Sequence, residues 1–122
     1  MGFHPINLAI RFLLEVSALV AMSFWAWQQN NGVARYSLAF LVPLVAAAVW
    51  GVFAVPGDRS RAGKAPVAVS GSVRLGIEAA FFACAVFALY RVGSNSLAAI
   101  LAAAIVIHYA ASYDRIAWLL RA

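Results

Sequence analysis

Val73-Arg74-Leu75-Gly76-Ile77-Glu78-Ala79-Ala80-Phe81-Phe82-Ala83-Cys84-Ala85-Val86-Phe87-Ala88-Leu89-Tyr90 decides the fold class. The stretch is apolar almost throughout, does not alternate, and is rich in alanine, so it reads as helix rather than strand. A bilayer core takes about 20 helical residues at 1.5 Å each, and this run approaches that length. Its second residue is nevertheless an arginine, followed four positions later by a glutamate. An i,i+4 spacing puts both on one helix face, close enough to pair.

Three more apolar runs flank it, about 6–27, 36–55 and 97–118. Together the four make a single transmembrane domain over 1–122, an all-α, integral membrane four-helix bundle. Of the 122 residues, 66% are hydrophobic and 11% charged, well outside the range of soluble domains. The net charge of +5 comes from basic residues scattered among apolar runs, which form no nucleic-acid face. The first run is too long for a secretory signal, and Trp25, Trp27, Gln28 and Gln29 stand where a small-residue cleavage site would be, so it is a retained helix.

Asn30-Asn31-Gly32 and Gly93-Ser94-Asn95 turn two hairpins, and the polar segment from Pro56 to Pro66 links them. Arg11, Arg59, Arg61, Lys64, Arg74, Arg115 and Arg121 fall on one side, while only Arg35 and Arg91 fall on the other. The positive-inside rule then gives an N-in, C-in topology. Trp25, Trp27 and Tyr36 suit the outer interface, Trp50 and Trp118 the inner. The Ile10–Glu15 stretch aligns with Val73–Glu78, and Ser37-Leu38-Ala39 with Ser96-Leu97-Ala98, the mark of a possible parallel 2+2 internal repeat.

The second R-x-x-x-E pair is Arg11/Glu15. Beyond each glutamate only about twelve apolar residues remain, too few to span, so both charged turns are drawn into the membrane. Ionised groups at that depth point into the bundle and pair. His108 lies in the fourth run and shares an i, i+4, i+7 stripe with Ser112 and Arg115, while Asp114 falls about 120° away. The intramembrane polar cluster is therefore Arg11, Glu15, Arg74, Glu78, His108 and Asp114. It reads either as a proton or ion relay, or as an Arg–Glu staple between the first and third helices. For His108 the alternatives are a neutral side chain hydrogen-bonded to Ser, Tyr or backbone, and a proton carrier.

Pro43 should kink the second helix near Ala39, and Gly51 should admit a close neighbour. Cys84 reads as a small packing residue. No Cys–His cluster exists, and the other histidine, His4, is terminal, so no metal, haem or other cofactor is expected. No nucleophile–base pair or phosphate loop argues for an enzyme.

Asn7-Leu8-Ala9-Ile10-Arg11-Phe12-Leu13-Leu14-Glu15, the central Pro43, Trp50-Gly51-Val52-Phe53 with Pro56, and Arg74-Leu75-Gly76-Ile77-Glu78 resemble the YrdB family of small bacterial four-span membrane proteins. The resemblance implies this fold and a bacterial inner membrane, and supplies no substrate. Two functions follow as expectations. One is a small transporter or channel for a proton, ion or small amphipathic molecule, in which Glu15, Glu78 and His108 titrate against Arg11 and Arg74. The other is a non-transporting structural or accessory protein. Four short helices enclose little volume, so a homodimer is expected around any path.

Overall fold

The computed structural model describes residues 5–29, 31–57 and 66–121. It is an all-α bundle. Helix α1 runs Pro5–Gln29, α2 Gly32–Val52, α3 Gly71–Arg91, α4 Asn95–Ala111 and α5 Tyr113–Arg121. Arg59, Arg61 and Lys64 of the linker, and His4, lie outside the described residues.

Helices α1 and α3 pack against each other at the centre, α2 leans on α1, and α4 and α5 lean on α3. The core holds Leu14, Ala18, Ala21 and Met22 of α1, Phe81, Phe82 and Ala85 of α3, and Leu101 of α4. Small residues bring the helix axes together, as between spans in lipid, where close packing replaces the hydrophobic drive. Aromatic rings then cross the bundle in sequence. Trp50 meets Phe81 at 4.4 Å between centroids, Phe81 meets Phe82 at 5.2 Å, and Phe82 meets Tyr109 at 6.1 Å.

The surface is inverted relative to a soluble protein. Phe12, Leu13, Val20, Phe40, Leu44, Phe87, Ile100 and Ile107 are exposed, while Arg11, Arg74, Glu78, His108 and Arg115 are buried. Water would reject that arrangement and hydrocarbon favours it. Helices α1, α2 and α3 are each long and apolar enough to cross a membrane, and α4 with α5 makes a fourth candidate if the bent pair counts as one. This is the build of a membrane protein.

Local chemistry sets the helix ends. Ser70 caps α3 by accepting from the Val73 amide at 3.3 Å. At its other end Gly93 takes a left-handed φ of 86°, the Gly93 amide donates to Tyr90 O at 3.1 Å, and the Ser94 amide donates to Leu89 O at 3.0 Å. That is a Schellman closure, and it starts the α3–α4 hairpin.

Several expectations change. The second helix stops at Val52 rather than 55, and Phe53–Ala54 pairs in parallel with Val67–Ala68 as a two-residue bridge. The cause is Arg74, whose guanidinium donates to the carbonyls of Trp50 and Phe53, the latter at 2.8 Å, and so caps α2 from another helix. The fourth helix is not continuous over 97–118: it breaks at Ser112, and α5 turns 69° from α4. Gly51 has open space where a side chain would stand. The close approach belongs to Gly71, where a Cβ would land on the Leu119 backbone. Cys84 is exposed rather than packed inside.

Pro43 lies within α2, which runs through it as one helix. Proline removes the amide that would serve the Ala39 carbonyl. Ser23 of α1 serves it instead, its hydroxyl donating to Ala39 O at 2.6 Å. A neighbouring span thus restores the bond that the proline deletes.

Candidate functional site

The site is built around one carboxylate. Glu78 is 0% exposed. Its Oε2 accepts from Arg115 Nη2 at 2.7 Å, Arg74 Nε at 2.9 Å and Arg11 Nη2 at 3.0 Å. Its Oε1 accepts from the Tyr109 hydroxyl at 2.6 Å and from Arg115 Nη1 at 2.9 Å. Arg115 therefore grips both oxygens, the fork-on-fork geometry that arginine makes best. Five donor contacts from α1, α3, α4 and α5 converge on a group that offers about four lone-pair positions.

Each helix delivers its member by simple spacing. Arg74 and Glu78 are one turn apart on α3, and Asn7, Arg11 and Glu15 descend one face of α1. The break at Ser112 lets α5 fold back, so Arg115 points at Glu78 and Leu119 rests on Gly71. Trp50 of α2 closes one side, with Arg74 over its ring at 4.3 Å and Arg11 at 5.1 Å. A guanidinium held between a carboxylate and an indole face gains attraction from both.

Glu15 stands at the margin of this centre. Arg11 Nε reaches its Oε1 at 3.3 Å, and its side chain is 22% exposed. Asp114 lies in the first turn of α5, half-buried, and supplies none of the Glu78 contacts given above.

A second, uncharged group adjoins the first. Asn7 donates from Nδ2 to Ser112 Oγ at 2.7 Å, and its Oδ1 lies 3.2 Å from His108 Nδ1. In that arrangement His108 carries its proton on Nδ1. His108 Nε2 is buried and has no hydrogen-bond partner among the described residues. Asn7 thereby ties the start of α1 to the α4–α5 break, and His108 is held by asparagine rather than by Ser, Tyr or backbone.

The structure brings Arg11, Glu15, Arg74 and Glu78 together, with His108 beside them. Reading the sequence missed Tyr109, Asn7 and the contribution of Arg115. The signal for Arg115 was present, because the stripe through His108 and Ser112 places it inward. Tyr109 carried a weaker one, since a phenol within an apolar span needs a partner for its hydroxyl. Among the described residues no group of three or more His, Cys, Asp or Glu could hold a metal ion.

No solved structure matches the chain. A Bacillus subtilis (strain 168) protein, "Uncharacterized protein YrdB", is 43% identical over 114 residues, which cover 93% of each chain. The family model described as "Protein of unknown function (DUF2568)" matches residues 9–106, the span that carries Arg11, Glu15, Arg74 and Glu78. With a match of that extent and a relative of that similarity, this chain belongs to the DUF2568 family, as a relative of YrdB.

Proposed function

We propose that this chain is a non-enzymatic, non-transporting structural or accessory protein of the bacterial cell membrane, whose Arg–Glu centre fixes one arrangement of its helices. The observation that supports this reading is the saturation of Glu78. Both oxygens are filled by donors, three of them guanidiniums from three different helices. A proton or cation arriving there must first displace an arginine, and that arginine would be stranded in a buried site. Such a centre suits a lock better than a relay. Buried ion pairs contribute little net stability over apolar replacements, yet breaking one by removing a partner is costly.

The termini are placed on the cytoplasmic side by the basic-residue count, and bilayer lipid is the partner. Thiol labelling in intact cells tests the orientation in a Cys84→Ser background. Asn31→Cys should react with an impermeant maleimide, and Ser60→Cys should not. The opposite pattern overturns the orientation.

Flux through proteoliposomes tests the function. Purified protein should pass protons and monovalent ions no faster than empty vesicles, with or without a pH gradient. A second reading, proton or ion handling, is favoured by Glu15, which is partly exposed and is held by a single arginine. Flux that depends on pH and disappears in Glu15→Gln would establish that reading over the first.

A further inference from the structure

Helix α5 is the least apolar and the most amphipathic of the five helices. Its residues sort into three stripes at helical spacing. Arg115 and Leu119 are buried against the bundle. Tyr113, Ile116 and Leu120 share a second stripe, on which Tyr113 and Leu120 are exposed. Asp114, Ala117 and Arg121 form a third, about 100° further round, and Arg121 is exposed.

Contacts near both ends of α5 fix its course. At the break, the Ser112 hydroxyl accepts from Asn7 in the first turn of α1. Towards the other end, the Leu119 backbone lies against Gly71, the first residue of α3. Arg11 meets Glu78 at 3.0 Å, so α1 and α3 are level there. Asn7 precedes Arg11 by four residues and Gly71 precedes Glu78 by seven, which puts them about 6 and 10 Å nearer the helix starts. The two anchors thus differ in depth by about 4 Å, whereas α5 advances about 10 Å between Ser112 and Leu119. It runs across the end of the bundle more than along it, in keeping with its 69° turn from α4. Helix α4 alone has 17 residues, about 25 Å, the lower limit for a crossing, and needs no extension to complete one.

We propose that α5 lies in the plane of the membrane surface where α1 and α3 begin, as an interfacial helix that sets Ile116 and Leu120 among lipid acyl chains and Asp114 and Arg121 among the headgroups. Deeper placement would draw the charged stripe into hydrocarbon, and a position in water would leave the apolar stripe uncovered. Tyr113 and Trp118 are of the type that concentrates at this level. By holding α5 flat, the bilayer surface also holds Arg115 on Glu78. The inference rests on the membrane build of the fold and is independent of whether the polar centre is a lock or a relay.

Relaxation probes test it on the unmodified protein, methyl-labelled in nanodiscs of palmitoyl-oleoyl phosphatidylcholine and phosphatidylglycerol. Lipid carrying a 5-doxyl group should broaden Ile116 and Leu120 several-fold more than Ala117 and Arg121. A neutral gadolinium chelate in the water should do the reverse, so that both effects alternate along α5 with the helical period. Broadening that instead changes steadily from Tyr113 to Arg121 overturns the proposal, because α5 would then be the end of a crossing. Leu120 as open to the chelate as Arg121 also overturns it, since α5 would stand in water. So does a Leu120 shielded from both probes, which would mean that protein, such as a second copy, covers the stripe. Val20, exposed midway along α1, should be broadened by 16-doxyl lipid in every case. Failure there would count against the membrane build itself rather than against the placement of α5.

Discussion

Arg11–Glu15 and Arg74–Glu78 are one motif written on two helices, and the molecule uses them differently. Glu78 is fully enclosed and takes donors from Arg11, Arg74, Arg115 and Tyr109. Glu15 keeps a partly open face and receives Arg11 alone among the described ion pairs. The spacing is identical, so it cannot explain the difference. Position in the bundle does. Helix α3 is flanked by α1, α4 and α5, so its acid lies where four elements meet, whereas α1 turns Glu15 toward its margin with α2. Arg11 belongs to both pairs, with Nε on Glu15 and Nη2 on Glu78, so the second pair draws on the first. A motif thus specifies a local pair, and packing decides which pair becomes the hub.

The strongest way to break this asymmetry is Glu78→Gln. The amide keeps the shape but takes the shared counter-charge from three buried guanidiniums, of which Arg11 alone keeps Glu15 among the ion pairs given above. Removing one member of a buried ion pair costs about 3–5 kcal/mol, and the variant should lose that much in a denaturant titration in micelles. The matched variant Arg11→Gln, Glu15→Gln, Arg74→Gln and Glu78→Gln removes charge from both sides and should recover part of the loss. A Glu78→Gln protein as stable as wild type would mean that the carboxylate is not the hub.

Gly71→Ala tests how α5 reaches Glu78. The new methyl would collide with the Leu119 carbonyl, so α5 must shift and Arg115 with it. Overpacking of this kind costs about 1–3 kcal/mol. The expected signature is local: faster amide exchange over Tyr113–Arg121, with α1 and α2 unaffected. Unchanged exchange in α5 would show that its docking does not need the close approach at Gly71.

These effects track what the sequence could reveal. Charges four apart in an apolar run announce themselves, because their cost in hydrocarbon demands pairing, and so Arg11, Glu15, Arg74 and Glu78 were legible. The bend at Ser112 was not. No glycine or proline marks it, and its supports come from afar: Asn7 bonds the Ser112 hydroxyl from 105 residues away, and Arg115 is drawn to Glu78. A straight fourth helix kept Arg115 on the right stripe but treated it as an interfacial charge. The end of α2 was hidden for the same reason, since its cap is the side chain of Arg74 on α3. Local periodicity finds elements and their faces. It does not report which distant side chain will terminate them.

Ser23→Ala sharpens the comparison on the α1–α2 side. It leaves the Ala39 carbonyl without the donor that replaces the proline-deleted amide. Side-chain hydrogen bonds between spans average about 0.6 kcal/mol and reach about 1.7, so a loss in that range is expected. Substituting Pro43→Ala in the same background should restore it, because the helix regains its own amide donor. A loss that persists in the double variant would show that Ser23 contributes through packing rather than through this bond.

The smallest effect should come from Glu15→Gln. Its carboxylate is partly exposed, and its contact with Arg11 at 3.3 Å is the longest of the four described ion pairs. Exposed or half-exposed pairs are worth about 0–1 kcal/mol, and Arg11 keeps Glu78 when Glu15 is neutralised. The glutamine should therefore cost less than about 1 kcal/mol in the same titration, several-fold below Glu78→Gln. Arg11→Met separates the two roles of that arginine. It removes a donor from Glu78 and the ion-pair partner of Glu15 together, so its cost should exceed that of Glu15→Gln by the value of the Glu78 contact. Adding Glu15→Gln to Arg11→Met should then be neutral or slightly stabilising, because a marginal carboxylate that has lost its salt bridge disappears. If Glu15→Gln alone proves as damaging as Glu78→Gln, the two motifs carry equal weight and position in the bundle does not set their roles.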